Sequence, residues 1–227
     1  MRPGLPGRGH LWRWVGLIGE HNILVSSVGG QGGVTLTRVL STAAFSQGMN
    51  VVVGETLGMA QRGGSVTSQV RVGPGVRGPM IPRCGCDVLL SLEPAEALRV
   101  AHYLGRRTRA VVNTAPSPPA FALLGEARYP EAEEVLGVLE RIAGVVYPID
   151  ATGLASEAGS TRSLNMVILG AYAALEDPVL SAGSLEEAMA ASLPSRFLEM
   201  NKRAFDLGSE AMRELIPRGE AGGYSGS

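Results

Sequence analysis

Apolar runs that stop at glycines alternate along this chain with apolar residues spaced three and four apart. Residues 22–28, NILVSSV, form a run that ends at Gly29-Gly30-Gln31-Gly32-Gly33, which predicts a buried strand and a tight turn. Leu36, Val39, Leu40 and Ala43 then fall at i, i+3, i+4 and i+7, one face of a helix that Gly48 closes. Residues 49–53 are a second β-branched run. Strand, glycine turn, helix, strand is a βαβ unit, which predicts parallel neighbours and a right-handed crossover.

The pattern recurs. A strand over 87–92 leads to a helix opened by Pro94, with Ala97, Val100, Ala101 and Leu104 on its inner stripe. A strand over 109–112 ends at Asn113, a helix is marked by Val135, Leu139 and Ile142, and a strand over 144–150 ends at Asp150. Two helices close the fold, one through Leu164, Val167, Ile168, Ala171 and Leu175, the other through Phe197, Met200, Ala204, Leu207 and Ala211. Residues 65–72, SVTSQVRV, alternate and predict a strand that returns antiparallel after Gly63-Gly64. The expected fold is three-layer α/β/α with a mostly parallel, Rossmann-like sheet, an antiparallel strand and C-terminal helices, in one domain over residues 21–216. Residues 1–20 read as a disordered extension, because Arg13 interrupts the apolar stretch and no small-residue cleavage site follows. Residues 217–227 read as a flexible Gly/Ser tail.

Composition narrows the chemistry. With 45% hydrophobic and 18% charged residues, the 227-residue chain is no disordered polyelectrolyte. A net charge of -1 and 5% aromatics leave neither a basic face nor a stacking platform for nucleic acid. No run reaches the ~18 apolar residues of a membrane span, so the expected location is the cytoplasm. Cys84 and Cys86 are the two cysteines, which excludes a disulfide framework and a four-thiolate cluster built by this chain alone. His10, His21 and His102 are too scattered for a zinc site by spacing, and Lys202 is the single lysine, so no Walker loop exists.

Two loops are candidates for binding. In the first, Ser27, Gly29 and Gly32 stand at the spacing of G-x-G-x-x-G, with Ser27 in the first glycine position. The backbone of Gly29 to Gly33 lies where a helix N-terminus exposes N–H groups to a phosphate or carboxylate. Glu55 stands where a dinucleotide fold carries its ribose-binding acid. A tight turn packed against a protein partner explains the same glycines. The second loop is Gly58-Met59-Ala60-Gln61-Arg62-Gly63-Gly64-Ser65, at the same carboxyl edge. From Thr56 to Cys86 there are four arginines (Arg62, Arg71, Arg77, Arg83) and no acid, a basicity suited to an anionic ligand or to a solvated, subunit-facing loop. Ser65 sits in GGSVT, short of a nucleophile elbow. Asn113 and Asn165 are supporting candidates that capping explains equally well.

SVGGQGGVTLTRVLSTAAFSQG followed by GETLGMAQRGGSVTSQVRVG resembles the gamma-type domain of the 2-oxoacid:ferredoxin oxidoreductase family, and within it the beta subunits of the indolepyruvate type. CDVLLSLEPAEALR, VVNTAPSPP, DATGLASEAGSTRSLNMVILGAYAAL and FLEMNKRAFDLG extend the resemblance from about His21 to about Leu215. It implies a heteromeric enzyme that oxidises 2-oxoacids with thiamine diphosphate, forms an acyl-coenzyme A and reduces ferredoxin through iron–sulfur clusters. It also implies that thiamine diphosphate, Mg and the clusters belong to a larger partner subunit, with ferredoxin meeting the complex. This chain would then bind no cofactor alone and be inactive alone, carrying no catalytic residue. Gly29 to Gly33, Gln61 and Arg62 would complete the partner's cleft or hold the anionic part of coenzyme A. The alternatives are a complex acting on pyruvate or 2-oxoisovalerate, a free-standing NAD(P)-binding protein using Gly29, Gly32 and Glu55, and a non-enzymatic scaffold.

Overall fold

The structure, a computed structural model, describes residues 19–58, 63–117 and 129–216. Most of the expected extension, residues 1–18, and the tail from 217 lie outside the described residues. Six strands form one sheet: β1 (His21–Val28), β2 (Val51–Leu57), β3 (Ser65–Val72), β4 (Val88–Ser91), β5 (Arg109–Asn113) and β6 (Val145–Ile149), in the order β2-β3-β1-β4-β5-β6. The helices are α1 (Gly33–Ser46), α2 (Pro94–Arg99), α3 (Ala132–Ile142), α4 (Ala151–Ala158), α5 (Leu164–Ala173), α6 (Ala182–Ser192) and α7 (Leu198–Leu215).

Strands β1, β4, β5 and β6 pair in parallel, whereas β3 pairs antiparallel with both β1 and β2. Strand β2 therefore points the same way as β1 but is not its neighbour, which corrects the simple βαβ expectation. The reason lies in β3. Its extended, alternating segment returns straight after β2 and hydrogen-bonds on both edges, from His21↔Val72 to Val28↔Ser65 on one side and from Val51↔Val72 to Leu57↔Val66 on the other.

Successive strand residues face opposite layers. Ile23 and Val25 pack with Leu36, Val39 and Leu40 of α1 and with the four C-terminal helices, while Leu24 and Leu89 pack with Ala97, Val135 and Leu139 on the other face. Helix α5 was expected to bury one stripe, yet every residue from Leu164 to Tyr172 is buried, as suits a helix with neighbours all round. The Tyr172 hydroxyl accepts from the Leu180 N–H at 3.4 Å inside that layer.

The amino ends of the strands are tied by polar side chains. Buried Arg71, near the end of β3, donates to Asn22 Oδ1 at 2.9 Å, to the Gly78 and Met80 carbonyls at 2.9 and 3.1 Å, and to the Glu20 carboxylate. His21 opens β1 only 6% exposed, its Nδ1 3.8 Å from Asp87 Oδ2. Burial lowers its pKa to about 4; Asp87 opposes the shift and Arg109 reinforces it. The folded protein thus keeps His21 neutral where an unfolded chain, titrating near 6.5, would take up a proton. Stability is therefore full above pH ~6.5 and falls as the pH drops toward ~4, by on the order of 3 kcal/mol for this group. Urea denaturation at pH 7 and pH 4.5 should show a smaller loss for His21→Gln than for the unaltered protein.

Candidate functional site

Neighbouring parallel strands β1 and β4 send their chains to opposite faces, β1 to α1 and β4 to α2. A crevice opens at the carboxyl ends of such a pair, and open α/β sheets bind ligands there. The two strands are joined beneath it by a hydrogen bond from Ser26 Oγ to Ser91 Oγ at 2.8 Å.

One wall is the glycine loop. Gly32 is the N-cap of α1 with φ of 85°, no side chain caps the first turn, and no acid lies in that turn. The amides of the first turn, with no carbonyl a turn earlier to accept them, face outward with the positive end of the helix dipole. Packing explains Gly32 and Gly33, whereas Gly30 stands in open space with a φ of 106°. A Cβ on Gly32 would lie 2.5 Å from Asn165 Nδ2, and one on Gly33 would lie 2.3 Å from Ser27 Oγ. Ser27 is thus a buried part of β1 whose hydroxyl fills the space below the helix start. Gln31 turns inward, its Oε1 accepting from the Val28 N–H at 2.8 Å, so it braces the loop. Asn165 on α5 donates to the Gly32 carbonyl at 3.2 Å.

The second loop meets the first through the backbone. The Gly29 N–H donates to the Gly64 carbonyl at 2.8 Å, and the Gly63 N–H donates to the Gly29 carbonyl at 3.3 Å. Met59, Gln61 and Arg62 lie outside the described residues. Among the other arginines of that stretch, Arg71 is the clamp at the opposite end of β3, and Arg77 follows that end, donating to the Pro74 carbonyl at 3.3 Å. The run of arginines in sequence is therefore not a cluster at the crevice.

The opposite wall is acidic and buried, and sequence reading missed it. Glu93 caps α2: its carboxylate accepts from the Glu96 N–H at 3.0 Å and from the Ser117 N–H at 3.3 Å. Burial raises the Glu93 pKa, against those two N–H donors. Glu96 accepts from Ser65 Oγ and, at 3.0 Å, from Arg99 Nε. The signal was Glu93-Pro94 with an acid three residues on, a helix-start signature. Asn113 is a structural hub at this edge. It donates to the Leu92 carbonyl at 2.9 Å and to Thr152 Oγ1 at 3.1 Å, and accepts from the Ala151 N–H at 3.0 Å.

Glu55 lies inside β2 rather than at its end, because pairing with β3 carries the strand on to Leu57. It is exposed opposite Ser68, with all of β3 between it and the glycine loop, a placement unlike that of a ribose-binding acid beside β1. Ser65 meets the Glu96 carboxylate rather than a histidine, and His21 and His102 both lie by the amino ends of the strands, where the His102 carbonyl accepts from the Cys84 N–H just before β4. Cys84 is exposed and Cys86 buried, both as free thiols. No group of three or more His, Cys, Asp or Glu among the described residues is placed to hold a metal, and no described helix is long and apolar enough to cross a membrane. The crevice thus offers amides and oriented hydrogen bonds, the equipment for holding a ligand or partner.

The family model described as pyruvate ferredoxin/flavodoxin oxidoreductase matches residues 22–211. The chain belongs to this family. It is 41% identical over 187 residues to the indolepyruvate oxidoreductase subunit IorB of Archaeoglobus fulgidus, covering 82% of this chain and 92% of that relative. Identity to the IorB subunit of Pyrococcus horikoshii is 40% over 198 residues, covering 87% and 98%. Among solved structures, the gamma subunit of a keto/oxoacid ferredoxin oxidoreductase from Geobacter sulfurreducens superposes with a TM-score of 0.63 at 24% identity, over 86% of this chain and 99% of that one. That likeness confirms the α/β fold of this oxidoreductase family member.

The contact between Ser27 and Gly33 can be tested by exchange. Gly33→Ala should destabilise the protein by roughly 1–3 kcal/mol through overpacking. Adding Ser27→Gly should restore more than half of that loss in thermal denaturation.

Proposed function

We propose that this chain is the small subunit of an aryl-pyruvate (indolepyruvate):ferredoxin oxidoreductase, a complex that converts 2-oxoacids to acyl-coenzyme A with reduction of ferredoxin. The observation that carries this reading is identity near 40% to relatives named as indolepyruvate oxidoreductase subunits, over more than nine-tenths of their length. Thiamine diphosphate, its Mg ion and the iron–sulfur clusters sit on a larger partner subunit, where the thiamine cofactor supplies the carbanion chemistry of decarboxylation. The small subunit contributes shape and amide dipoles, and it works in the cytoplasm as part of the complex.

The loop from Gly29 to Gly33, through the amides left free once Gly29 and Gln31 have donated to the Gly64 and Val28 carbonyls, either holds the anionic part of coenzyme A or completes the partner's cleft, together with Gln61 and Arg62 from the second loop. An uncapped helix start fits an anionic group, because its N–H groups gain a partner that no side chain supplies. Asn165 holds the loop from behind and Gln31 braces it from within. Water is displaced from the amides when the anion arrives, so each hydrogen bond strengthens in a drier setting.

Co-expression with the thiamine-dependent subunit should yield a stable complex, and neither subunit purified separately should turn over. In that complex Arg62→Ala should raise the KM for coenzyme A or the 2-oxoacid by about tenfold, the scale of one charge-assisted hydrogen bond. Unchanged kinetics with assembly intact would count against the anion-holding role.

A further inference from the structure

Three loops of the crevice are linked in series where the β1–β3 ladder ends at Val28↔Ser65. The glycine loop is bridged to Gly63-Gly64 by two backbone hydrogen bonds. The next residue, Ser65, turns its hydroxyl onto Glu96 of α2, and its carbonyl accepts from the Gly58 N–H at 2.8 Å. Glu96 is 7% exposed, and its second oxygen is taken by Arg99 Nε. Its own N–H is held by Glu93, which is 1% exposed and also receives the Ser117 N–H.

We propose that Glu96 is a positioning residue: through Ser65 it holds the Gly63-Gly64 turn, and with it the glycine loop, at the distance from α2 that suits the anionic part of coenzyme A. The inference rests on the ligand reading above. Glu96 is buried and faces Ser65 and Arg99, so it acts on the ligand through the loop rather than by touching it. The two neighbouring buried carboxyls are a costly arrangement for capping alone. Glu93 already caps the six-residue helix α2, and the Glu96–Ser65 bond adds nothing to that cap. What it does join is the start of β3 to the opposite wall of the crevice, 31 residues away in sequence. The β1–β3 ladder fixes the turn against the glycine loop, and the Ser65–Glu96 bond is the side-chain hydrogen bond found among the described residues that ties this ladder end across to α2.

The test uses the assembled complex and coenzyme A as probe, with affinity read by titration calorimetry and turnover measured alongside. Ser65→Ala and Glu96→Ala should each weaken coenzyme A binding by about tenfold, since each removes the same charge-assisted hydrogen bond. The double variant should be no weaker than the worse single one. Glu96→Gln keeps an acceptor for Ser65 and should recover most of the affinity. For Glu96→Ala the KM for coenzyme A should rise while kcat at saturation stays within about twofold, a split that general loss of fold does not give. Should Glu96→Ala fail to assemble, Ser65→Ala decides, since it deletes only a hydroxyl. If Arg62→Ala weakens coenzyme A binding but Ser65→Ala and Glu96→Ala do not, the positioning role is overturned and the ligand reading stands. If none of the three alters binding, the ligand reading falls and the positioning role with it. Additive losses in the double variant also overturn the proposal.

Discussion

Strand β3 hydrogen-bonds along both edges, and its double pairing organises both ends of the molecule. At one end it delivers Ser65 and the Gly63-Gly64 turn to the glycine loop; at the other it delivers Arg71 to the Gly78 and Met80 carbonyls of the loop that follows it. Because the strand runs against its neighbours, residues close in sequence are thrown to opposite ends. A parallel strand in that place would have needed a long crossover and could not have brought the second loop back beside the first.

The two ends of the sheet use polarity differently. At the amino ends, charges are paired off inside the fold: Arg71 satisfies three elements at once, and His21 stays neutral beside Asp87. At the carboxyl ends, side chains hold backbone in place and leave helix amides pointing outward. Gln31 and Asn165 hydrogen-bond main chain, and Asn113 does so while also reaching Thr152 Oγ1. That division is what a subunit needs if its task is to present a surface and its partner's task is to react.

Much of this was legible in the chain. The apolar run before the glycines, the i, i+3, i+4 stripe of α1 and the alternation of SVTSQVRV are local signals, and each became the expected element. Helices α4 and α6 went unread, because ATGLASEA and AGSLEEAMAAS are alanine-rich with little contrast between faces, although Asp150 and Ser181 do cap them. The order of strands was not legible, since periodicity says which face is buried but not which neighbour a strand will take. Spacing likewise could not join Ser65 to Glu96 or separate Arg71 from the crevice; both follow from the antiparallel return of β3. The inward turn of Gln31 and the seat of Ser27 under Gly33 depend on distances of a few ångströms, below what a residue pattern encodes.

The bare start of α1 has an evolutionary consequence. A serine, aspartate or asparagine at the N-cap adds only about a few tenths of a kcal/mol over glycine, a small gain that substitution at position 32 could in principle collect. Here it cannot do so in one step, because any side chain on Gly32 collides with Asn165, which is itself committed to the Gly32 carbonyl. Two coordinated changes on separate elements would be required, and the first alone is harmful. The receptive helix end is thereby difficult to close by a single substitution at position 32.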